Sequence, residues 1–298
     1  MLKSPDSQEL RQLLKKVREV EIRSRKTAES LLSGGYRTVL KGTGIEFEEV
    51  REYNPGDDVR SIDWNVTARM NKIFVKKYRE EREMAVVMLV DVSASQFFGT
   101  RNMQKKDLAV ELCAVLALSA LKSKDKVGLA LFDTSIRSYL PPAKGKPYVM
   151  RIIRELLAAG SNSSGTDIAG ALNYINRVTK RKSYVFVVSD FFDEEFWIPF
   201  QMASRKHDVV PVVLRDAFEQ AIPGMGVMPF EDAESGRLCY VDTSSKRFRA
   251  DMQAQAQRAD DELRRKFLKY NAEPVFLHTD SDYIPVLMNY FKRRAGHY

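Results

Sequence analysis

The chain has 298 residues, a length that suits one large domain or a main domain with a smaller appended module. Hydrophobic residues make up 44% of it and charged residues 30%, which excludes an intrinsically disordered chain, a collagen-like repeat and a coiled-coil rod. The formal net charge of +8 favours acidic partners, whether nucleic acid, anionic lipid or a carboxylate-rich protein.

The first twenty residues carry charges throughout and lack the apolar stretch of a signal peptide. The most apolar internal segment, near residues 108–121, contains Glu111 and is shorter than the roughly 20 residues that span a bilayer. Cys113 and Cys239 are too few and too far apart for a disulfide framework or a thiolate metal site. We therefore expect a cytoplasmic protein without a membrane span.

An amphipathic helix is predicted in the first part of the chain, residues 1–35. Ser7 is a candidate cap, and Gly34 and Gly35 end the pattern. The apolar residues recur at steps of three and four, and they are Leu10, Leu13, Leu14, Val17, Val20, Ala28 and Leu31. This apolar stripe either packs on the rest of the chain or docks a partner or an acidic surface.

Residues 36–83 form a predicted β-rich module. An extended segment covers 44–53, and Asn54-Pro55-Gly56-Asp57 is a strong turn signal. Further along, apolar residues alternate and predict a second strand, and a turn at 70–73 leads into a third strand that contains Val75. The alternating residues are Ile62, Trp64, Val66, Ala68 and Met70.

From residue 84 to 298, strands and helices alternate. Such alternation is typical of an α/β fold with a mostly parallel sheet and helices on both faces. Residues 226–242 interrupt it and predict an inserted antiparallel hairpin. The predicted strands are MAVVMLVDV (84–92), VGLALF (127–132), IRSYL (136–140), SYVFVVSD (183–190), DVVPVVLR (208–215) and EPVFLHT (273–279).

Oxygen-bearing side chains follow the predicted strands. Asp91, Ser93 and Ser95 come where the first buried strand ends, Thr166 lies in a loop before a helix, and Asp190 ends another buried strand. Ligands bind beyond the carboxyl ends of parallel strands, so we expect these three loops to converge. The alternative is that the aspartate and the serines only cap a helix.

Oxygen ligands without cysteine or histidine suit Mg²⁺ or Mn²⁺ rather than zinc. Asp91 and Asp190 together only neutralise a divalent ion. An open coordination position is then free for a carboxylate from another molecule, which describes a binding site rather than a catalytic one.

The pattern D-x-S-x-S at 91–95, the segment GTDIAGAL (165–172) and Asp190 resemble the metal-ion-dependent adhesion site of a von Willebrand factor type A domain. The resemblance implies a metal held by Asp91, Ser93, Ser95, Thr166 and Asp190. One departure is that Phe191 and Phe192 follow Asp190, where adhesive members commonly have glycine. Asp193 is a possible substitute for Asp190.

A second resemblance concerns the segment GIEFEEVREYNPGDDVRSIDWNVTARM (44–70), which is similar to the signature of the bacterial "domain of unknown function 58" family. In that family a short β segment precedes an A-type domain, so the two resemblances together cover residues 36–298. They imply an adaptor that acts with a MoxR-type AAA+ ATPase in metal insertion or in the maturation of a protein complex.

Two sets of residues keep alternative interpretations. The charged residues of the signature form either a recognition or catalytic surface, or a structural network in which Arg60 pairs with carboxylates; they are Asp57, Asp58, Arg60, Asp63 and Arg69. The aromatic residues near the metal loops form either an exposed apolar rim or internal packing; they are Phe97, Phe98, Phe191, Phe192, Phe196 and Trp197.

The hypothesis that follows is a non-enzymatic module for divalent-metal-dependent protein binding. A nucleic-acid-binding protein is one alternative, since basic runs occur at 264–266 and 292–294, but no nucleic-acid-binding motif accompanies them. A metal-dependent hydrolase is the other, but no histidine lies near the predicted site and the chain has no G-x-x-x-x-G-K-[ST] phosphate loop.

Overall fold

A computed structural model provides the structure of the protein, and its residues fall into two compact units. Helix α1 and the residues from Ala85 onward form one unit, and the described residues between Leu40 and Met84 form the other. The structure describes residues 7–32, 36, 44–70, 72–81, 85–99, 103–160, 165–231 and 237–296.

The smaller unit contains two antiparallel strands, β1 (Gly44–Glu52) and β2 (Phe74–Glu81). The predicted middle strand is wrong, because Trp64–Met70 is a helix, α2. Asp63 caps this helix, and its Oδ1 accepts hydrogen bonds from the N–H groups of Asn65 and Val66 at 3.0 and 3.3 Å. Trp64 and Met70 are 66% and 61% exposed, so the apolar alternation does not mark a buried strand face.

The charged residues of the signature hold the turn between β1 and α2 in place. Asp57 accepts two hydrogen bonds from the Arg51 guanidinium, at 2.7 and 2.8 Å. Asp58 accepts one from the Arg60 N–H at 2.9 Å and caps the 3₁₀ turn Val59–Ser61. These contacts support the structural interpretation. Arg60 was predicted to pair with carboxylates, but among the described contacts it takes part through its backbone N–H, and the guanidinium that pairs with Asp57 belongs to Arg51.

The larger unit is built on a six-stranded sheet with the order β10-β7-β6-β3-β4-β5. All neighbours are parallel except β4 and β5, which are antiparallel. The predicted mostly parallel sheet is therefore confirmed, as is the hairpin, formed by β8 and β9. The strands of this unit are β3 (Ala85–Asp91), β4 (Lys126–Phe132), β5 (Ile136–Ala143), β6 (Tyr184–Ser189), β7 (Asp208–Arg215), β8 (Val227–Glu231), β9 (Leu238–Asp242) and β10 (Val275–His278).

Helices cover both faces of the sheet. Helices α5, α6 and α8 share one core with one face of β3, β4, β6 and β7. On the other face, Phe291 of α9 packs against Phe186 of β6. The helices of this unit are α1 (Ser7–Leu31), α3 (Lys105–Ser123), α4 (Lys146–Ala158), α5 (Ile168–Val178), α6 (Trp197–Lys206), α7 (Ala217–Gln220), α8 (Lys246–Lys269) and α9 (Tyr283–Ala295).

The amino-terminal helix packs on the rest of its unit. Helix α1 contacts α3, α4 and α9, and it buries Val17, Ala28 and Leu31. Arg23 of α1 also pairs with Glu111 of α3 at 2.9 Å. Of the two interpretations of its apolar stripe, the structure supports packing within the chain.

The order of the strands determines where a ligand site belongs. Counted along the chain from β3, the sheet has the doubly wound order 3-2-1-4-5-6, with the third strand antiparallel. The order reverses between β3 and β6, and a crevice opens at the carboxyl ends of the strands at such a point. No helix among the described residues is both long and apolar enough to cross a membrane.

Candidate metal and partner-binding site

Two predicted site residues, Asp91 and Asp190, lie at the point where the strand order reverses. Asp91 ends β3, and Asp190 directly follows the last residue of β6, Ser189. These two strands are parallel neighbours. The Ser189 hydroxyl donates a hydrogen bond of 2.7 Å to Asp91 Oδ2, so the structure brings the ends of the two strands together as the sequence predicts.

The first loop gathers oxygen atoms around the Asp91 carboxylate. The Ser93 N–H donates to Asp91 Oδ1 at 2.9 Å, and the Ser93 and Ser95 hydroxyl oxygens are 3.1 Å apart. Gln96, which the sequence analysis did not identify, donates from its amide to Asp91 Oδ2 at 3.4 Å and to Ser95 Oγ at 3.3 Å. The two hydroxyls and the carboxylate therefore form one connected group.

The second loop, with Thr166, is attached to the neighbouring strand. The Asp167 N–H donates to the backbone carbonyl of Asp133, just beyond β4, at 2.8 Å, and Asp167 caps α5 through the Gly170 N–H at 2.7 Å. Thr166 is partly buried in this loop. Among the described contacts, none joins its hydroxyl to Asp91 or Asp190, so its role as a ligand stays a prediction.

The third loop contains a buried ion pair that sequence reasoning missed. Lys105, the first residue of α3, is completely buried, and its Nζ lies 2.8 Å from Asp190 Oδ2 and 2.6 Å from Glu219 Oε1. Arg215 at the end of β7 donates to the backbone carbonyl of Asp190 at 2.5 Å and to Asp260 Oδ1 at 2.9 Å. Asp190 is thus held by two basic side chains.

The pKa values of Asp91 and Lys105 are both raised, but for different reasons. Burial, and after it the nearby charge of Asp190, raises the pKa of Asp91 to about 7, although hydrogen bonds from Ser189 and Ser93 favour the carboxylate. Burial alone would lower the pKa of Lys105, but Asp190 and Glu219 outweigh it and raise that pKa. Among the described residues, the partners of the Asp91 carboxylate are uncharged groups, whereas Asp190 is paired with the Lys105 ammonium.

Phe191, where adhesive A-type domains commonly have glycine, takes the backbone conformation that favours glycine. Its φ is +56°, in the left-handed region. The side chain is 5% exposed and packs against Phe196 and Phe267, with ring centroids 5.5 and 5.1 Å away. This burial holds the turn after Asp190 without a glycine.

Both carboxylate oxygens of Asp193, the predicted substitute for Asp190, accept hydrogen bonds from backbone N–H groups. Its Oδ2 accepts from the Ile168 N–H at 3.2 Å and its Oδ1 from the Glu195 N–H at 2.9 Å. The residue ties the third loop to the start of α5. Asp190 is therefore the better placed of the two carboxylates for a ligand.

The aromatic residues near the loops divide between the two predicted roles. Phe191 and Phe196 are buried in the core, whereas Phe98 and Phe192 are 41% and 61% exposed. The Phe192 ring lies 5.5 Å from Lys105 Nζ and 5.1 Å from the guanidinium carbon of Arg215. The exposed rim therefore includes Phe98 and Phe192, and the Phe192 ring lies beside the two basic side chains that hold Asp190.

In the part of the chain that the structure describes, the donors for a metal at this edge are oxygen atoms of carboxylates and hydroxyls. Among the described residues, no three histidine, cysteine, aspartate or glutamate side chains converge as ligands. Asp91 with the Ser93 and Ser95 hydroxyls suits a hard cation that keeps water ligands, as Mg²⁺ does. The residues of the first loop fit such an ion, while Oδ2 of Asp190 is already bonded to Lys105.

Relatives of similar length occur in mycobacteria. The chain is 28% identical over 291 residues to the uncharacterized protein Rv1480 of Mycobacterium tuberculosis, covering 94% of this chain and 91% of that protein. It is 23% identical over 168 residues to the uncharacterized protein YeaD of Bacillus subtilis, covering 56% of this chain and 40% of that protein.

Similar solved structures include BatB from Bacteroides thetaiotaomicron, at 16% identity and a TM-score of 0.47, covering 72% of this chain and 99% of that one. The SpRpn10 VWA domain is 9% identical, with a TM-score of 0.38 and coverage of 70% and 95%.

The family model described as "Protein of unknown function DUF58" matches residues 49–262. This match takes in most of the signature segment, the three loops of the site and most of the sheet. Because it covers well over half of the chain, the chain belongs to the DUF58 family.

Proposed function

We propose that this protein is a non-enzymatic protein-interaction module that binds its partner through a divalent cation, Mg²⁺ or Mn²⁺, at the edge formed by β3 and β6. Asp91, Ser93 and Ser95 would hold the ion, with Thr166 and Asp190 completing the set. The ion would supply a coordination position for a carboxylate oxygen of the partner.

The observation that carries this proposal is the Asp91 carboxylate, which is 3% exposed and has uncharged partners among the described residues. A buried charge without a counter-ion costs several kcal/mol, and the raised pKa of Asp91 reflects this cost. Lys105 does not remove it, because its ammonium is shared between Asp190 and Glu219. A cation bound beside Asp91 would remove this cost.

The surroundings of the site favour an acidic partner with an apolar neighbour. Lys105 and Arg215 are paired with the carboxylates of Asp190, Glu219 and Asp260. A divalent ion beside Asp91 would balance the remaining negative charge, so a partner carboxylate would meet no net negative charge at this edge. Phe98 and Phe192 present exposed aromatic surface there. An acidic side chain flanked by an apolar residue matches both features.

For the identity of the partner, the family resemblance suggests a MoxR-type AAA+ ATPase, and the process would be the assembly or maturation of a protein complex. This assignment depends on the resemblance of residues 44–70 and not on any contact of the site.

A pull-down tests the proposal. The full chain is immobilised, and a purified MoxR-type ATPase from the same genome is applied with Mg²⁺ or with EDTA. We expect retention only with Mg²⁺, and a loss of at least tenfold for Asp91→Asn and Ser95→Ala. Asp251→Asn serves as the control, since Asp251 is exposed on α8.

Calorimetry with Mg²⁺ alone separates the metal from the partner. Saturable binding to the wild type and to Asp251→Asn, but not to Asp91→Asn, is the expected result. Equal heats in all variants would contradict the metal site, and metal binding without retention of the ATPase would contradict the choice of partner.

A further inference from the structure

The opposite end of the sheet contains a cavity of about 450 Å³, a size in the range of small-molecule sites. It lies at the amino ends of β6 and β7. The length of β6, about 20 Å, separates it from the candidate metal site at the carboxyl end of the same strand. The end of α6, the end of α8 with the turn after it, and α9 supply most of the lining.

Positive charge dominates this cavity. Four basic residues line it, namely Lys182, Arg205, Lys269 and Arg294, and Asp208 is the acidic residue among the described lining residues. Arg294 and Asp208 form an ion pair with each other. Lys182, Arg205 and Lys269 come from three different segments and leave the cavity with an excess of three positive charges.

Helix polarity explains part of this arrangement but not all of it. Basic residues in the last turns of α6 and α8 are stabilised by the negative ends of those helices. The helix dipoles do not explain Lys182, because this residue lies outside any helix, just before β6. They also do not require a cavity, and they give no account of the uncharged polar groups in the lining.

Two of those groups, His207 and Ser204, are unpaired among the described residues. His207 is 2% exposed, and within the described part of the chain neither its ring nitrogens nor the Ser204 hydroxyl has a hydrogen-bond partner. Leaving such groups unpaired costs roughly 1 to 3 kcal/mol each, which calls for a partner that the polypeptide itself does not supply. A neutral imidazole and a hydroxyl each offer one hydrogen to an acceptor.

We propose that this cavity binds a small phosphorylated molecule, with its phosphate between Lys182, Arg205 and Lys269. A phosphate group matches an excess of positive charge and accepts several hydrogen bonds at once. His207 and Ser204 would donate to the phosphate or to the organic part. Tyr270, which also lines the cavity, provides an aromatic surface for that organic part.

The experiment uses inorganic phosphate, pyrophosphate and AMP as probes, at constant ionic strength with chloride as the reference. The chain has three histidines, so the imidazole signals in a proton NMR spectrum are few, and the His207→Gln variant assigns one of them. We expect saturable shifts of the His207 signal and an increase in Tm with pyrophosphate. A stronger response to AMP than to pyrophosphate would identify an organic ligand, and the reverse an inorganic polyphosphate.

A charge-matched pair of variants keeps the test independent of folding. Lys182→Gln with Lys269→Gln removes two exposed cations of the cavity, and Lys16→Gln with Lys246→Gln removes two exposed cations elsewhere. We expect at least tenfold weaker binding in the first double variant and less than twofold in the second. Equal weakening in both, or a His207 signal that none of the probes shifts, would overturn the proposal.

Discussion

The two ends of the parallel sheet present opposite charges. At the carboxyl end, Asp91 and Asp190 are buried at the ends of β3 and β6, and the partners of Asp91 within the described part of the chain are uncharged. At the amino end, Lys182, Arg205 and Lys269 surround a cavity that contains an internally neutral pair, Arg294 with Asp208. One end therefore favours a cation and the other an anion.

The difference follows from the direction of the chain. In a doubly wound sheet, helices begin near the carboxyl ends of strands and end near their amino ends, so helix dipoles place positive potential at one edge and negative potential at the other. Asp167 caps the start of α5 at the first edge, and Arg205 and Lys206 lie in the last turn of α6 at the second. Helix dipoles therefore stabilise carboxylates at the carboxyl ends of the strands and basic residues at their amino ends.

The largest expected effect concerns Lys105. Lys105→Met leaves Asp190 and Glu219 without their shared ammonium, and breaking a buried pair costs about 3 to 5 kcal/mol of unfolding free energy. Urea denaturation measures this loss, and Mg²⁺ should restore part of it. Lys106→Met is the control, since Lys106 is only partly buried, and we expect it to lose less than about 1 kcal/mol. Similar losses in both variants would show that the buried pair is unimportant.

An intermediate effect concerns pH at the amino end. Burial, and then the charge of Lys206, lowers the pKa of His207 to about 4, below the value near 6.5 in the unfolded chain. Between these values the unfolded chain binds the extra proton, so stability is present above pH 6.5 and is lost as the pH falls toward 4, by about 2 to 3 kcal/mol. Denaturation at pH 7, 5.5 and 4.5 measures this.

His207→Phe is the matched variant for the pH experiment, because it keeps an aromatic ring and removes the titration. Its stability should fall less steeply than that of the wild type over the same pH interval. Parallel curves for the two proteins would mean that His207 is not the group responsible.

The smallest effect on stability is expected at Phe192, the exposed ring beside the candidate metal site. Phe192→Ser removes a side chain that is 61% exposed, so the free energy of unfolding should change by about 1 kcal/mol or less. Partner binding in the pull-down should nevertheless weaken about tenfold. Ile198→Ser, at a residue 75% exposed on α6, is the control and should bind as the wild type does. Equal losses in both variants would remove Phe192 from the interaction surface.

Much of this site could be predicted, because its residues follow strongly apolar strands. MAVVMLVDV and SYVFVVSD are recognisable as buried strands, and their ends place Asp91 and Asp190 at one edge of the sheet. The secondary structure of the module before the sheet was harder to predict. Apolar alternation at 62–70 indicated a strand, but the Asp63 cap and the exposed Trp64 belong to a helix. Local patterns in a short segment do not distinguish the two when no deep core selects a face.

The sequence by itself determined the α/β class, the order of strands and helices, and the position of the oxygen-bearing loops, because these depend on local periodicity and on residues close together in the chain. Only the tertiary structure decided that Lys105 would meet Asp190 and Glu219, which lie 85 and 114 residues away, and that His207 would share a cavity with Lys182 and Lys269. Such contacts have no local signal, since they arise where distant segments of the chain meet at the ends of the sheet.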